Sequence, residues 1–94
     1  MEQTVRRWAD RDMAGYGHLL DFYRQGARIC RAGEDGLVLR NDAINICYTV
    51  GDVADLEPLR GCLLVLTDSR AVVEALTAEG AYRDVILIPP EWKT

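Results

Sequence analysis

The stretch from Ala27 to Val50, ARICRAGEDGLVLRNDAINICYTV, decides the fold. Three short β-rich runs, ARICRA (27–32), LVLR (37–40) and INICYTV (44–50), are divided by GEDG (33–36) and by Asn41-Asp42. Asp-Gly signals a hairpin because glycine accepts the positive φ of a tight turn, and Asn-Asp turns by bonding its own backbone. The pattern predicts a three-stranded antiparallel meander. In the third run Ile44, Ile46, Tyr48 and Val50 share one face and Asn45, Cys47 and Thr49 the other, so one face of the sheet is expected to be drier.

Beyond the meander the periodicity changes again. GDVADLEPLRG (51–61) reads as a short helix with Asp52 as its N-cap and Pro58 limiting its length. CLLVLT (62–67) shows no alternation, so both its faces should be covered, and it reads as the central strand. Asp68 or Ser69 caps a helix running to about Glu79, with Ala71, Val72, Ala75 and Leu76 facing inward and Gly80 ending it. DVILI (84–88) is the last strand, stopped by Pro89-Pro90.

Before the meander, Val5, Trp8, Met13, Tyr16, Leu19, Leu20, Phe22 and Tyr23 recur at helical spacing, and Gly26 stands where a helix C-terminal glycine belongs. RDMAGYGHLLD (11–21) puts Gly15 and Gly17 inside that pattern, each costing about 1 kcal/mol relative to alanine. One continuous helix, or a helix at 4–14 followed by another at 18–25, both satisfy the sequence. A bend near Gly15–Gly17 would let Trp8 and Met13 meet the sheet from one direction and Leu19, Phe22 and Tyr23 from another.

The 94 residues form one domain, 1–94, of α/β (α+β) class. Its expected architecture is a single mixed, mostly antiparallel sheet of about five strands with helices on its faces. Net charge is −4, without the basic stripe that neutralises phosphates, so nucleic acid is not expected as a partner. The first twelve residues lack the apolar core of a signal peptide, and CLLVL (62–66) is too short to span a bilayer. A cytoplasmic location is therefore expected, with no membrane partner. Cys30, Cys47 and Cys62 fit it as reduced, partly buried thiols. They lack the paired spacing of a zinc site, even with His18 added, so no metal is expected.

Other candidate chemistry also meets a plainer reading. The glycines of 15–17 follow a helical pattern rather than a strand, and Asp10 and Asp12 oppose an anion, so no phosphate loop is expected there. His18 has the pKa of a general base but no assignable nucleophile, which makes it a structural or surface histidine, with Asp21 on its helical face. Ser69 lacks the Gly-x-Ser-x-Gly setting of a nucleophile and serves as a helix cap. GEDG lacks the further oxygen ligands of a calcium loop. Trp92 is expected to dock the tail on its own domain.

The order α(α)-β-β-β-α-β-α-β from about Leu19 to Pro90 resembles the GNAT superfamily of N-acetyltransferases. RAGEDGLVL (31–39) in particular is similar to the start of GNAT-family proteins of Firmicutes, where a helix leads into such a hairpin and a complete acetyltransferase domain follows. The resemblance implies acetyl-CoA as cofactor and a pyrophosphate-binding [Q/R]-x-x-G-x-[G/A] turn between a strand and a helix N-terminus. Here the matching place, GDVADLEPL (51–59), has one glycine and two carboxylates, Asp52 and Asp55. DMAGYG (12–17) has the glycine spacing but carries Asp12 where glutamine or arginine belongs, and it lies too early. No family site residue carries over, so catalytic and cofactor-binding residues stay unassigned.

The expectation is a non-catalytic GNAT-like domain without cofactor. It would be a degenerate paralogue or the N-terminal module of a larger acetyltransferase, packing as a homodimer or against a catalytic GNAT domain. The alternatives are an acetyltransferase that binds acetyl-CoA through an unrecognised loop, and a small-molecule sensor using the groove between strands 44–50 and 62–67.

Overall fold

The computed structural model describes residues 2–10, 16–32, 36–80 and 84–88. The three consecutive β-runs form the expected meander. β1 (Arg28–Ala32) pairs antiparallel with β2 (Gly36–Asn41), which pairs antiparallel with β3 (Ile46–Gly51). The turn between β2 and β3 is built as its composition implies. The Asn41 side chain accepts a hydrogen bond from Ala43 N at 3.1 Å, and Asn45 adopts φ 57°, a conformation asparagine tolerates. GEDG falls largely outside the described residues, with only Gly36 seen, at the start of β2.

β4 (Leu64–Thr67) and β5 (Asp84–Leu87) extend the sheet in sequence order, β1-β2-β3-β4-β5. Both join in parallel, from Ile46↔Leu64 to Thr49↔Thr67 and from Leu64↔Asp84 to Thr67↔Leu87. The sheet is therefore mixed in equal parts rather than mostly antiparallel. The reason lies in the connections, since each segment returning the chain from β3 to β4 and from β4 to β5 crosses a face of the sheet instead of turning back at its edge.

The centre of the sheet is β3, not the strand at 62–67. Cys47, Tyr48, Thr49 and Val50 are all buried, so β3 is covered on both faces rather than on one. In β4 burial alternates: Val65 and Thr67 are buried while Leu64 and Leu66 are half-buried. Its apolar run describes an interior strand whose second face is only partly roofed.

One face carries Leu37, Leu39, Tyr48 and Val50 against α1 (Glu2–Asp10) and α2 (Gly17–Arg24). Val5, Trp8 and Ala9 of α1 and Leu19 and Phe22 of α2 fall at helical spacing and are buried there. The other face carries Val38, Cys47 and Val65 against Leu59 and Cys62 of the β3–β4 crossover and Val72 and Leu76 of α3 (Arg70–Ala78). Of the four residues expected inward on α3, Val72 and Leu76 are buried, Ala75 is half-buried and Ala71 is exposed. Ser69 is the N-cap, its Oγ accepting from Val72 N at 3.4 Å. Gly26 and Gly80 follow the last turns of α2 and α3, each with positive φ, as helix C-terminal glycines do.

Two helices, not one, precede the sheet, and the residues between them at 11–15, including Met13 and Gly15, lie outside the described ones. Gly17 is not what the break requires. It is the first residue of α2, its φ is not positive, and a Cβ built on it would meet nothing within 4 Å. Gly17→Ala is therefore expected to stabilise the protein, by up to about 1 kcal/mol, through helix propensity and a less flexible unfolded chain. Urea denaturation should show the midpoint rising with an unchanged slope.

The helix expected over 51–61 is only a 3₁₀ turn, Glu57–Leu59. Pro58 sits inside that turn, and Asp52, the expected N-cap, lies five residues before it and is engaged elsewhere. Among the described residues no helix is long and apolar enough to cross a membrane.

Candidate functional site

The carboxyl ends of the parallel strands are where open α/β sheets usually bind ligands. Here β3 ends at Gly51-Asp52 and β4 at Thr67-Asp68-Ser69, and the two ends are tied together on both faces. On the side of the N-terminal helices, Asp68 Oδ1 accepts from Gly51 N at 2.8 Å, and its Oδ2 accepts from the Tyr16 hydroxyl. Gly51 adopts φ 78°, a left-handed conformation that glycine takes without cost, and its amide is the donor to Asp68. On the α3 side, Ser69 Oγ donates to Asp52 Oδ1 at 2.7 Å. Between these clasps the buried Thr49 and Thr67 hydroxyls are bonded at 2.6 Å, and Thr67 Oγ1 accepts from Ser69 N at 3.1 Å.

His18 joins the same end of the molecule from α2. Its Nε2 is hydrogen-bonded to the Tyr48 hydroxyl, and the two rings lie 5.3 Å apart, with Phe22 on Tyr48 at 5.7 Å. A buried tyrosine needs a partner for its hydroxyl, and His18 supplies it. Burial lowers the His18 pKa, with Asp21 opposing, so the imidazole is the neutral partner of this bond near pH 7. Burial, together with Tyr16 and Asp68, pushes the Tyr48 pKa up, so its hydroxyl stays protonated.

This arrangement holds structure better than it performs chemistry. Tyr48 cannot serve as a base, and Ser69 Oγ is committed to Asp52 and to the first turn of α3. Asp68 spends both oxygens on donors of its own chain. Among the described residues every buried side-chain nitrogen and oxygen has a hydrogen-bond partner.

The sequence-derived candidates do not converge. His18 lies on the α1–α2 face of the sheet, whereas Cys30, Cys47 and Cys62 belong to the opposite core cluster. Among the described residues, no three His, Cys, Asp or Glu side chains are grouped to hold a metal ion. Cys47 and Cys62 are not reduced thiols but a disulfide, with a Cα separation of 6.3 Å that suits the bond, while Cys30 is free and half-buried. The parallel pairing of β3 and β4 brings the two together. Strands 44–50 and 62–67 form one hydrogen-bonded ladder, so a ligand would have to sit beyond their ends rather than between them. Asp12, Glu34, Asp35 and Trp92 lie outside the described residues.

Tyr16, Tyr48 and Asp68 carry this site, and sequence reasoning passed over all three in that role. One signal was present: a tyrosine on the covered face of β3 has a hydroxyl that must be satisfied, and the lone histidine was the available neutral partner. No family model, curated protein or solved structure matches the chain.

Proposed function

We propose that this chain is a non-catalytic α/β module of GNAT-like kind that works by packing against a second copy or against a catalytic acetyltransferase domain. The observation that carries the non-catalytic half is the double clasp. Acetyl-CoA binding of the GNAT type needs backbone amides and a helix N-terminus open to a pyrophosphate. At the end of β3 the Gly51 amide already points at Asp68, and at the N-terminus of α3 the Val72 amide points at Ser69 Oγ, which in turn donates to Asp52. A pyrophosphate there would have to displace two carboxylates and would meet their charge.

The topology supports the same reading. The β3–β4 crossover and α3 pack on the same face of the sheet, and strands 3, 4 and 5 follow in order. A ligand crevice of the doubly wound kind arises where neighbouring connections leave on opposite faces, and β3–β4–β5 has no such point. The packing half of the proposal rests on the resemblance of RAGEDGLVL to the start of longer acetyltransferases, since the observed order departs from the expected one in having a 3₁₀ turn, not a helix, between β3 and β4.

Calorimetric titration with acetyl-CoA tests the proposal. The expected result is no saturable heat below millimolar ligand. A micromolar dissociation constant with one site per chain would overturn the non-catalytic reading.

A further inference from the structure

We propose that the Cys47–Cys62 pair is a redox-controlled latch on the β3–β4 crossover and, through that crossover, on the clasp at the strand ends. The bond joins the second residue of β3 to the residue two places before β4 and so encloses nearly all of the crossover, closing a loop of sequence separation 15.

The crossover is otherwise thinly held. Residues 52–58 are exposed or half-buried, and among the described residues none belongs to a strand ladder. Up to Cys62 its backbone bonds are those of single turns, Leu59 N to Leu56 O at 2.9 Å, Arg60 N to Glu57 O at 3.2 Å and Cys62 N to Leu59 O at 3.3 Å. Past it, Leu63 N reaches Asn45 O, just before β3, at 2.8 Å. Its anchors are buried Leu59, with half-buried Val53 and Leu56 beside it, and two guanidinium groups. That of Arg40 donates to the carbonyls of Pro58 at 2.8 Å and Arg60 at 3.1 Å, and that of Arg60 donates to Glu79 at the end of α3 at 3.1 Å. At the far end of the same segment stands Asp52, acceptor of the Ser69 hydroxyl. The disulfide thus fixes one end of an element whose other end closes the mouth of the sheet.

Both redox states fit the core. Cys47 and Cys62 are 0% and 2% exposed among Val38, Leu59 and Val65, and a reduced cysteine in such a place packs as a small hydrophobe. Reduction therefore loses the tie without leaving a hole. The step is thiol–disulfide exchange with a dithiol reductant. When the crossover opens to admit it, a thiolate of the reductant attacks the sulfur of Cys62, the residue on that crossover, to give a mixed disulfide, and its second thiol closes the reductant's own disulfide. Two electrons and two protons pass to the protein, leaving Cys47 and Cys62 as thiols. Cys30 lies on β1, with β2 between it and Cys47, so it is not part of the exchange.

Limited trypsin digestion of the full chain, oxidised or pre-treated with dithiothreitol, tests the latch at Arg60, an exposed cleavage site inside the crossover. Maleimide mass-tagging in denaturant should count one thiol in the oxidised chain and three in the reduced one. Cleavage after Arg60 should be at least tenfold faster in the reduced chain, with cleavage after Arg24 unchanged. The Cys47→Ala/Cys62→Ala variant should cut like the reduced protein with or without reductant, and Cys30→Ser should behave as the parent. Three thiols after treatment with an oxidant would overturn the proposal, as would equal cleavage after Arg60 in the two states. An equal rise at Arg24 and Arg60 would also overturn it, because the bond would then be a staple of the whole fold.

Discussion

Gly36→Ala is expected to destabilise the protein by about 2 kcal/mol, although it adds a single methyl group. A Cβ at this position would stand 2.5 Å from the Asp52 carbonyl oxygen, 3.2 Å from its carbon and 3.4 Å from Val53 Cγ2. The first two obstacles are backbone atoms, which cannot rotate aside as a side chain would. Gly36 faces Gly51 across the β2–β3 ladder, and Asp52 is held by its hydrogen bond to Ser69, so relief requires moving a strand end or the clasp. Overpacking of this kind costs about 1–3 kcal/mol, against which a less flexible unfolded chain returns about 0.4–1 kcal/mol. The clash wins. For a domain of this size the melting temperature should fall by about 8–16 °C. A Gly36→Ala protein within about 0.5 kcal/mol of the parent would show that the approach of Asp52 to β2 relaxes freely. Gly17→Ala is the matched control, since the same added methyl meets open space there.

The meander was legible because its signals are local. GEDG and Asn41-Asp42 specify where the chain turns, and alternation within each run specifies which residues share a face. The α3 cap and the glycines at 26 and 80 are equally local. What lay beyond reading was adjacency. Nothing in CLLVLT says that it lies parallel to INICYTV, yet that pairing makes β3 the central strand and brings Cys62 to Cys47. The spacing of the two cysteines carried no signal by itself, because a disulfide follows from the path of the chain rather than from its local conformation.

The site was hidden for the same reason. Asp68 and Ser69 compete for one role in sequence, that of helix cap, and Ser69 takes it. Asp68, released from capping, turns to Gly51 and Tyr16, 17 and 52 residues away. Asp52 was read as the cap of a helix that Pro58 reduces to one turn, and it caps nothing. Its carboxylate instead reaches the serine that does cap α3. In each case a residue with strong local preferences is diverted by a long-range partner that only the folded sheet supplies.

Asp68→Ala tests how much the clasp contributes. The substitution leaves the Gly51 amide and the hydroxyl of buried Tyr16 without their acceptor. Each hydrogen bond to a charged group contributes about 1.5–3 kcal/mol, but Asp68 is only half-buried and water can replace part of it, so a loss of about 2–4 kcal/mol is expected. Asp68→Asn should cost less, because the amide oxygen can still accept from Gly51 while the Tyr16 hydroxyl turns to accept from the amide nitrogen. Tyr16→Phe removes only one of the two bonds and should cost about 1 kcal/mol. Combining Tyr16→Phe with Asp68→Ala should cost less than the sum of the two, since both delete the same hydroxyl–carboxylate bond. Urea denaturation of the four variants measures all of these values. Strict additivity would mean that the Tyr16–Asp68 contact contributes nothing of its own, and an Asp68→Ala cost below about 0.5 kcal/mol would mean that β3 and β4 are held by their ladder alone. A large cost with a clear shortfall in the double variant would instead identify the carboxylate as the tie between α2 and the sheet.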